Sequence, residues 1–214
     1  ANAGSGGDNV TVDDIYYSFG LGDNFDFIIA ANSVQTDDFV TTTIVPFDGP
    51  SVADPGGPAL YDFDMGGGGF AVGGSLALGD NFVIDAGYSG GQGGSGTNDP
   101  FDGGVFGADS QSYIVQGSFL TDGFLNAAVA YLHGDGNGDN NFTDTFAGLL
   151  NLDFGNFFVA GYGAFHDDGD DNNFSWQAGF GFSDFVFEGS DIGVYYADLP
   201  NYATDSEPYM VEGY

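Results

Sequence analysis

Two copies of one rhythm constrain this chain more than anything else in it. Phe70–Leu78 is a run of strand-forming residues, Gly79-Asp80-Asn81 a tight turn, and Phe82–Tyr88 the answering run. After a loop rich in Gly and Asp, Tyr113–Leu120 runs out, Thr121-Asp122-Gly123 turns, and Phe124–Leu132 runs back. Within the runs, residues alternate with period 2, the period at which a strand's side chains change face. On Phe82–Ser89, Phe82, Ile84, Ala86 and Tyr88 alternate with Val83, Asp85, Gly87 and Ser89. Short turns therefore fall at one end of the strands and long polar loops at the other. An antiparallel barrel spanning an outer membrane sorts its connections this way. A soluble β-sandwich fits the strand propensities equally well but has no reason to sort its loops.

The same rhythm extends in both directions. Residues 1–13 read as a loose lead-in. Ile15–Leu21 and Phe25–Ser33 flank the turn Gly22-Asp23-Asn24. Residues 34–66 form the longest insertion, broken by Pro46, Pro50, Pro55 and Pro58; in a barrel a loop of this length is expected to fold into the lumen, narrow it and set its size limit. Within it, Phe39–Val45 reads either as a strand or as a loop segment folded into the lumen. Further on, Phe146–Phe154, Phe157–Phe165 and Phe174–Phe182 alternate cleanly, Ile192–Tyr196 returns, and Tyr209–Tyr214 begins another strand. The count is about 11 strands. Bacterial single-chain barrels have even numbers, so either Phe39–Val45 pairs into the sheet or the single domain over 1–214 is part of a larger barrel, the second being the expectation.

Composition narrows the functional classes. The chain has 32 acidic residues, no Lys and no Arg, for a formal charge of −32. Phosphate neutralisation needs Lys or Arg, so nucleic acid is not an expected partner. With no Cys, neither disulfides nor thiolate metal sites can form. Gly (39 residues) occurs beside 35 Phe and Tyr, an aromatic content that argues for a folded chain. No apolar run approaches the roughly 20 residues of a transmembrane helix.

At Ser175–Asp184, followed by Glu188–Val194, the sequence resembles the cyanobacterial outer-membrane porins of the carbohydrate-selective porin family. Thr204–Tyr214 resembles that family's next strand. Gly79-Asp80-Asn81-Phe82 with Ala86-Gly87-Tyr88, and Asn98-Asp99-Pro100 with Gly104-Val105-Phe106-Gly107, are similar as well. The resemblance covers about residues 66–214. It implies a 16-stranded, trimeric outer-membrane porin passing small solutes and ions, sugars among them. Members of this branch also carry an N-terminal cell-wall-binding domain and have basic residues where this chain has none.

A porin needs no catalytic residue, and none is expected. The glycine-rich strings lack the Lys-Ser/Thr of a P-loop, and no nucleophile elbow is present. Asp26, Asp85, Asn126, Asn151, Asp153, Ser175 and Gln177 lie on the less apolar faces and are the expected pore lining. Carboxylates without basic partners favour cations in the lumen. Tyr88, Tyr131, Tyr162, Trp176 and Tyr196 suit the aromatic girdles at the membrane surfaces. Asp135, Asn137 and Asp139 have the first spacings of a calcium loop. Asn140 replaces its glycine and Phe146 its Glu, so the motif is not an EF-hand. Calcium at such acidic loops is the one cofactor expected. The expected partners are outer-membrane lipid, small ions and solutes, and two further copies of the chain. The alternative reading is a secreted, acidic β-rich structural protein or adhesin that binds calcium at its Gly/Asp loops.

Overall fold

A computed structural model describes residues 15–32, 36–47, 57–61, 70–91, 110–135, 144–167, 172–199 and 209–213. They form eleven strands: β1 (Ile15–Leu21), β2 (Phe25–Asn32), β3 (Phe70–Leu78), β4 (Phe82–Gly91), β5 (Ser110–Phe119), β6 (Leu125–Asp135), β7 (Asp144–Asp153), β8 (Phe157–Asp167), β9 (Asn172–Ser183), β10 (Asp191–Asp198) and β11 (Tyr209–Gly213). All lie in one antiparallel sheet in chain order, each strand beside its neighbours in sequence. Among the described residues there is no α-helix, and the sheet is open: β1 and β11 are its edges.

The local chemistry explains the meander. Leu21 pairs with Phe25 across Gly22-Asp23-Asn24, and Leu78 with Phe82 across Gly79-Asp80-Asn81. Gly22 and Gly79 hold equivalent positions with φ of +70° and +68°, a region glycine enters without penalty. β6 runs three residues beyond the expected Leu132. His133, Gly134 and Asp135 continue the ladder opposite Tyr113, Ser112 and Gln111. Phe39–Val45 is not a strand. It follows a 3-10 turn at Thr36–Asp38, and its backbone joins no sheet ladder.

The sheet has two unlike faces. One, the inner face, carries Ile28, Ala30, Ala71, Ile114, Ala147 and Ala164, all buried. What covers it is the connection between β2 and β3. Phe39, Val40, Ile44, Val45 and Phe47, with Leu60 and Tyr61 from a second 3-10 turn (Ala59–Tyr61), are buried against it. Each large apolar side chain buried this way contributes about 1.5–3 kcal/mol, an upper figure for an extended reference chain.

This cover reaches both flanks of the sheet. Phe39 sits over Gly73 of β3 and Gly87 of β4, while Phe47 stacks 5.3 Å from Tyr195 of β10. The segment therefore spans the inner face from the β3–β4 side to the β9–β10 side.

Candidate functional site: the inner face and the outer belts

Three residues stand abreast on the inner face. Ser75 of β3 pairs with Asp85 of β4, which pairs with Gln116 of β5. Asp85 and Gln116 are 0% exposed. Asp85 Oδ1 accepts from the Ser75 hydroxyl, and Oδ2 accepts from the Thr41 N–H at 2.9 Å. Gln116 Nε2 donates to the Thr41 carbonyl at 2.8 Å and to Ser118 Oγ at 3.1 Å, while its Oε1 accepts from the Tyr61 hydroxyl at 2.5 Å. The row therefore grips the backbone of the covering segment at Thr41 and holds Tyr61 above it. Burial pushes the Tyr61 phenol well above its ordinary range. The Gln116 bond opposes that shift, and the charges of Asp85 and Asp37 reinforce it.

A second row lies toward the long-loop end. His166 Nδ1 is 2.9 Å from Thr145 Oγ1, and Nε2 is 2.8 Å from Ser175 Oγ. His166 is 1% exposed and Ser175 0%, so the serine of this Ser–His pair is closed to a substrate in this arrangement.

The residues expected to line a lumen divide into two groups. Asp85, Asn151, Ser175 and Gln177 are buried on the inner face. Asn151 Oδ1 is buried without a hydrogen-bond partner among the described residues. The other three sit at the short-turn end. Asn126 Oδ1 accepts from the Thr121 N–H at 2.6 Å, and Asp153 Oδ1 accepts from the Gly155 N–H at 2.7 Å. Asp26 is exposed near the end of β2. Asp153 thus shapes a turn rather than the wall.

The opposite, outer face is apolar and exposed, with Ile84 at 42%, Val115 at 47% and Val129 at 69% in its middle. Aromatic pairs flank this band. At the short-turn end Phe82 meets Phe119 and Phe157 meets Phe182, each pair 5.0 Å between ring centres. At the long-loop end Tyr131 meets Phe146 at 4.7 Å, Phe165 meets Phe174 at 4.8 Å and Trp176 meets Tyr196 at 5.3 Å. Phe157 and Phe165 lie eight residues apart on one strand, about 26 Å of extended chain.

Four of the five expected girdle residues, Tyr88, Tyr131, Trp176 and Tyr196, are on this outer face at the long-loop end. Tyr162 is not. It points inward, 5% exposed, and its hydroxyl accepts from the Ala59 N–H at 3.2 Å. The reason is parity: Ala160, Tyr162, Ala164 and His166 share the buried face of β8.

Beside the outer belt, the Tyr131 hydroxyl and His133 Nδ1 both meet Asp144 Oδ1, at 2.5 and 2.9 Å. Of the expected calcium residues, Asp135 ends β6, while Asn137 and Asp139 lie outside the described residues. Among the described residues no three His, Asp or Glu side chains cluster as metal ligands do.

Sequence reasoning missed Thr41, Tyr61, Ser75 and Gln116 as site residues. Gln116 carries a faint signal, an amide on the less apolar side of its strand. Thr41 and Tyr61 lie in aperiodic sequence and carry none. No family model, curated protein or solved structure matches the chain.

Proposed function

We propose that this sheet is the wall of an outer-membrane β-barrel of the porin type, through which small ions and solutes diffuse passively. The observation that carries the reading is the outer face, where large apolar side chains stand exposed from strand to strand. Carboxylate, amide and hydroxyl groups lie buried among the apolar residues of the inner face. A protein that folds in water leaves no such band outside, because apolar area costs about 25 cal/mol per Å² where it meets water. A barrel in lipid needs this arrangement, with an apolar band about 25 Å tall between aromatic girdles. The two aromatic belts are about 26 Å apart along β8, or about 20 Å along the axis of a barrel with strands tilted about 35–45°, somewhat below that height.

Ten antiparallel steps make β1 and β11 run in the same direction. Antiparallel closure therefore inserts an odd number of strands between them, as a 16-stranded wall does. In lipid the open edges must be paired, since water does not reach them there. The inner face bears carboxylate and amide oxygens and no Lys or Arg, so cations are the preferred ions. The resemblance to carbohydrate-selective porins makes small sugars a further solute class and a trimer the assembly.

Currents across a planar bilayer under a KCl gradient test this. Stepwise conductance with a cation-selective reversal potential is expected. Folded protein that stays soluble without detergent and never conducts overturns the reading.

A further inference from the structure

The segment between β2 and β3 meets the wall at two aromatic seats. A Cβ built on Gly73 would come within 2.1 Å of the Phe39 ring, and one on Gly87 within 2.6 Å. At the other flank, a Cβ on Gly179 of β9 would come within 2.7 Å of the Phe47 ring. All three glycines face inward, so the rings occupy the volume that side chains there would fill. Phe39 is 2% exposed and Phe47 0%. Between the seats the Thr41 peptide is held at its N–H by Asp85 and at its carbonyl by Gln116.

We propose that Phe39 in the Gly73–Gly87 socket and Phe47 in the Gly179 socket seat residues 36–47 as the size-limiting constriction of the passage. The inference rests on the porin reading and adds to it the residues that set the width. The segment crosses the inner face from the β3–β4 side to the β9–β10 side, so in a closed barrel it stands inside the lumen. Its contacts with the wall are side-chain seats and isolated hydrogen bonds rather than a ladder of strand pairs. Emptying the seats therefore shifts the segment without unpicking the sheet.

Single-channel recording on three proteins tests this: the wild type, F39A/F47A and F39C/G87C. The chain has no Cys, so the engineered pair forms the single disulfide. A Cβ on Gly87 lies 3.0 Å from that of Phe39, within a small shift of the roughly 3.5–4.5 Å a disulfide needs. F39A/F47A is expected to conduct about twofold more than wild type, because conductance follows the open lumen, and to admit larger sugars. F39C/G87C is expected to match wild type when oxidised and to widen on reduction, a reversible change that misfolding does not mimic. If F39A/F47A is folded and keeps the wild-type conductance and sugar limit, the seats are refuted while the porin reading stands. If none of the three conducts, both fall. A silent wild type with an open F39A/F47A supports the seats as a full plug.

Discussion

The Asp85 carboxylate and the Thr41 N–H, 44 residues apart in sequence, meet at 2.9 Å on the inner face of the sheet. With the Ser75 hydroxyl on its other oxygen, Asp85 has both oxygens engaged by donors. Asp85→Asn puts an NH2 where one acceptor stood and leaves one of these donors unsatisfied. Such a buried mismatch costs about 1–3 kcal/mol. Guanidinium unfolding in detergent, followed through Trp176, the one tryptophan, should show a lower midpoint and an unfolding free energy reduced by that amount. Superimposable curves would show that the grip on Thr41 contributes nothing.

Tyr61 predicts an alkaline limit. Its phenol is held neutral by burial, so its folded pKa lies above the unfolded value of about 10. A group with a raised pKa contributes its stability in full below the unfolded value. That contribution is lost as pH rises through the folded value. Tyr61 therefore leaves stability unchanged from neutral pH to about 10 and lowers it above that, and Tyr61→Phe abolishes this component. A tyrosinate absorbance difference between wild type and Tyr61→Phe should titrate well above pH 10. A difference centred at the ordinary phenol value contradicts the burial argument.

Val129, 69% exposed in the middle of the outer band, is a position where a lipid-facing wall and a sheet in water respond differently to one substitution. Val129→Arg in a protein that folds in water changes an exposed site and costs little. At the midplane of a membrane barrel the same change costs about 2–4 kcal/mol. Refolding into lipid vesicles should fail or weaken for Val129→Arg, while an Arg at exposed Asp122 in the β5–β6 turn leaves it intact. Equal refolding of the two variants argues against a lipid-facing band.

Two glycines in adjacent strands should respond oppositely to one methyl group. A Cβ at Gly161 would lie 2.2 Å from the Gln177 carbonyl oxygen, backbone that cannot swing aside. Gly161→Ala is expected to cost about 1–3 kcal/mol. At Gly148 nothing lies within 4 Å of the added Cβ. Gly148→Ala is expected to be neutral or to stabilise by up to about 1 kcal/mol, since alanine loses less backbone entropy on folding. Equal midpoints for the two variants would contradict this strand packing.

The strands, their order and their two faces were legible in the sequence because their causes are local. Alternation assigns Phe82, Ile84, Ala86 and Tyr88 to one side of β4 and Asp85, Gly87 and Ser89 to the other, whatever surrounds them. Gly-Asp-Asn turns bring β2 back beside β1 and β4 beside β3, and the short turns at 121–123 and 155–156 do the same for β6 and β8, so these hairpins follow with no long-range information. Parity read with care also reverses Tyr162, which shares its face with His166 and not with Phe165. The tertiary structure alone decided what covers the inner face. Phe39, Thr41, Phe47 and Tyr61 lie in aperiodic, proline-broken sequence. Their partners Gly87, Asp85, Gly179 and Gln116 are 44 to 132 residues away. Nothing local couples a phenylalanine to so distant a glycine. The match is one of shape and of buried hydrogen bonds, and it exists only once the strands of the sheet are assembled.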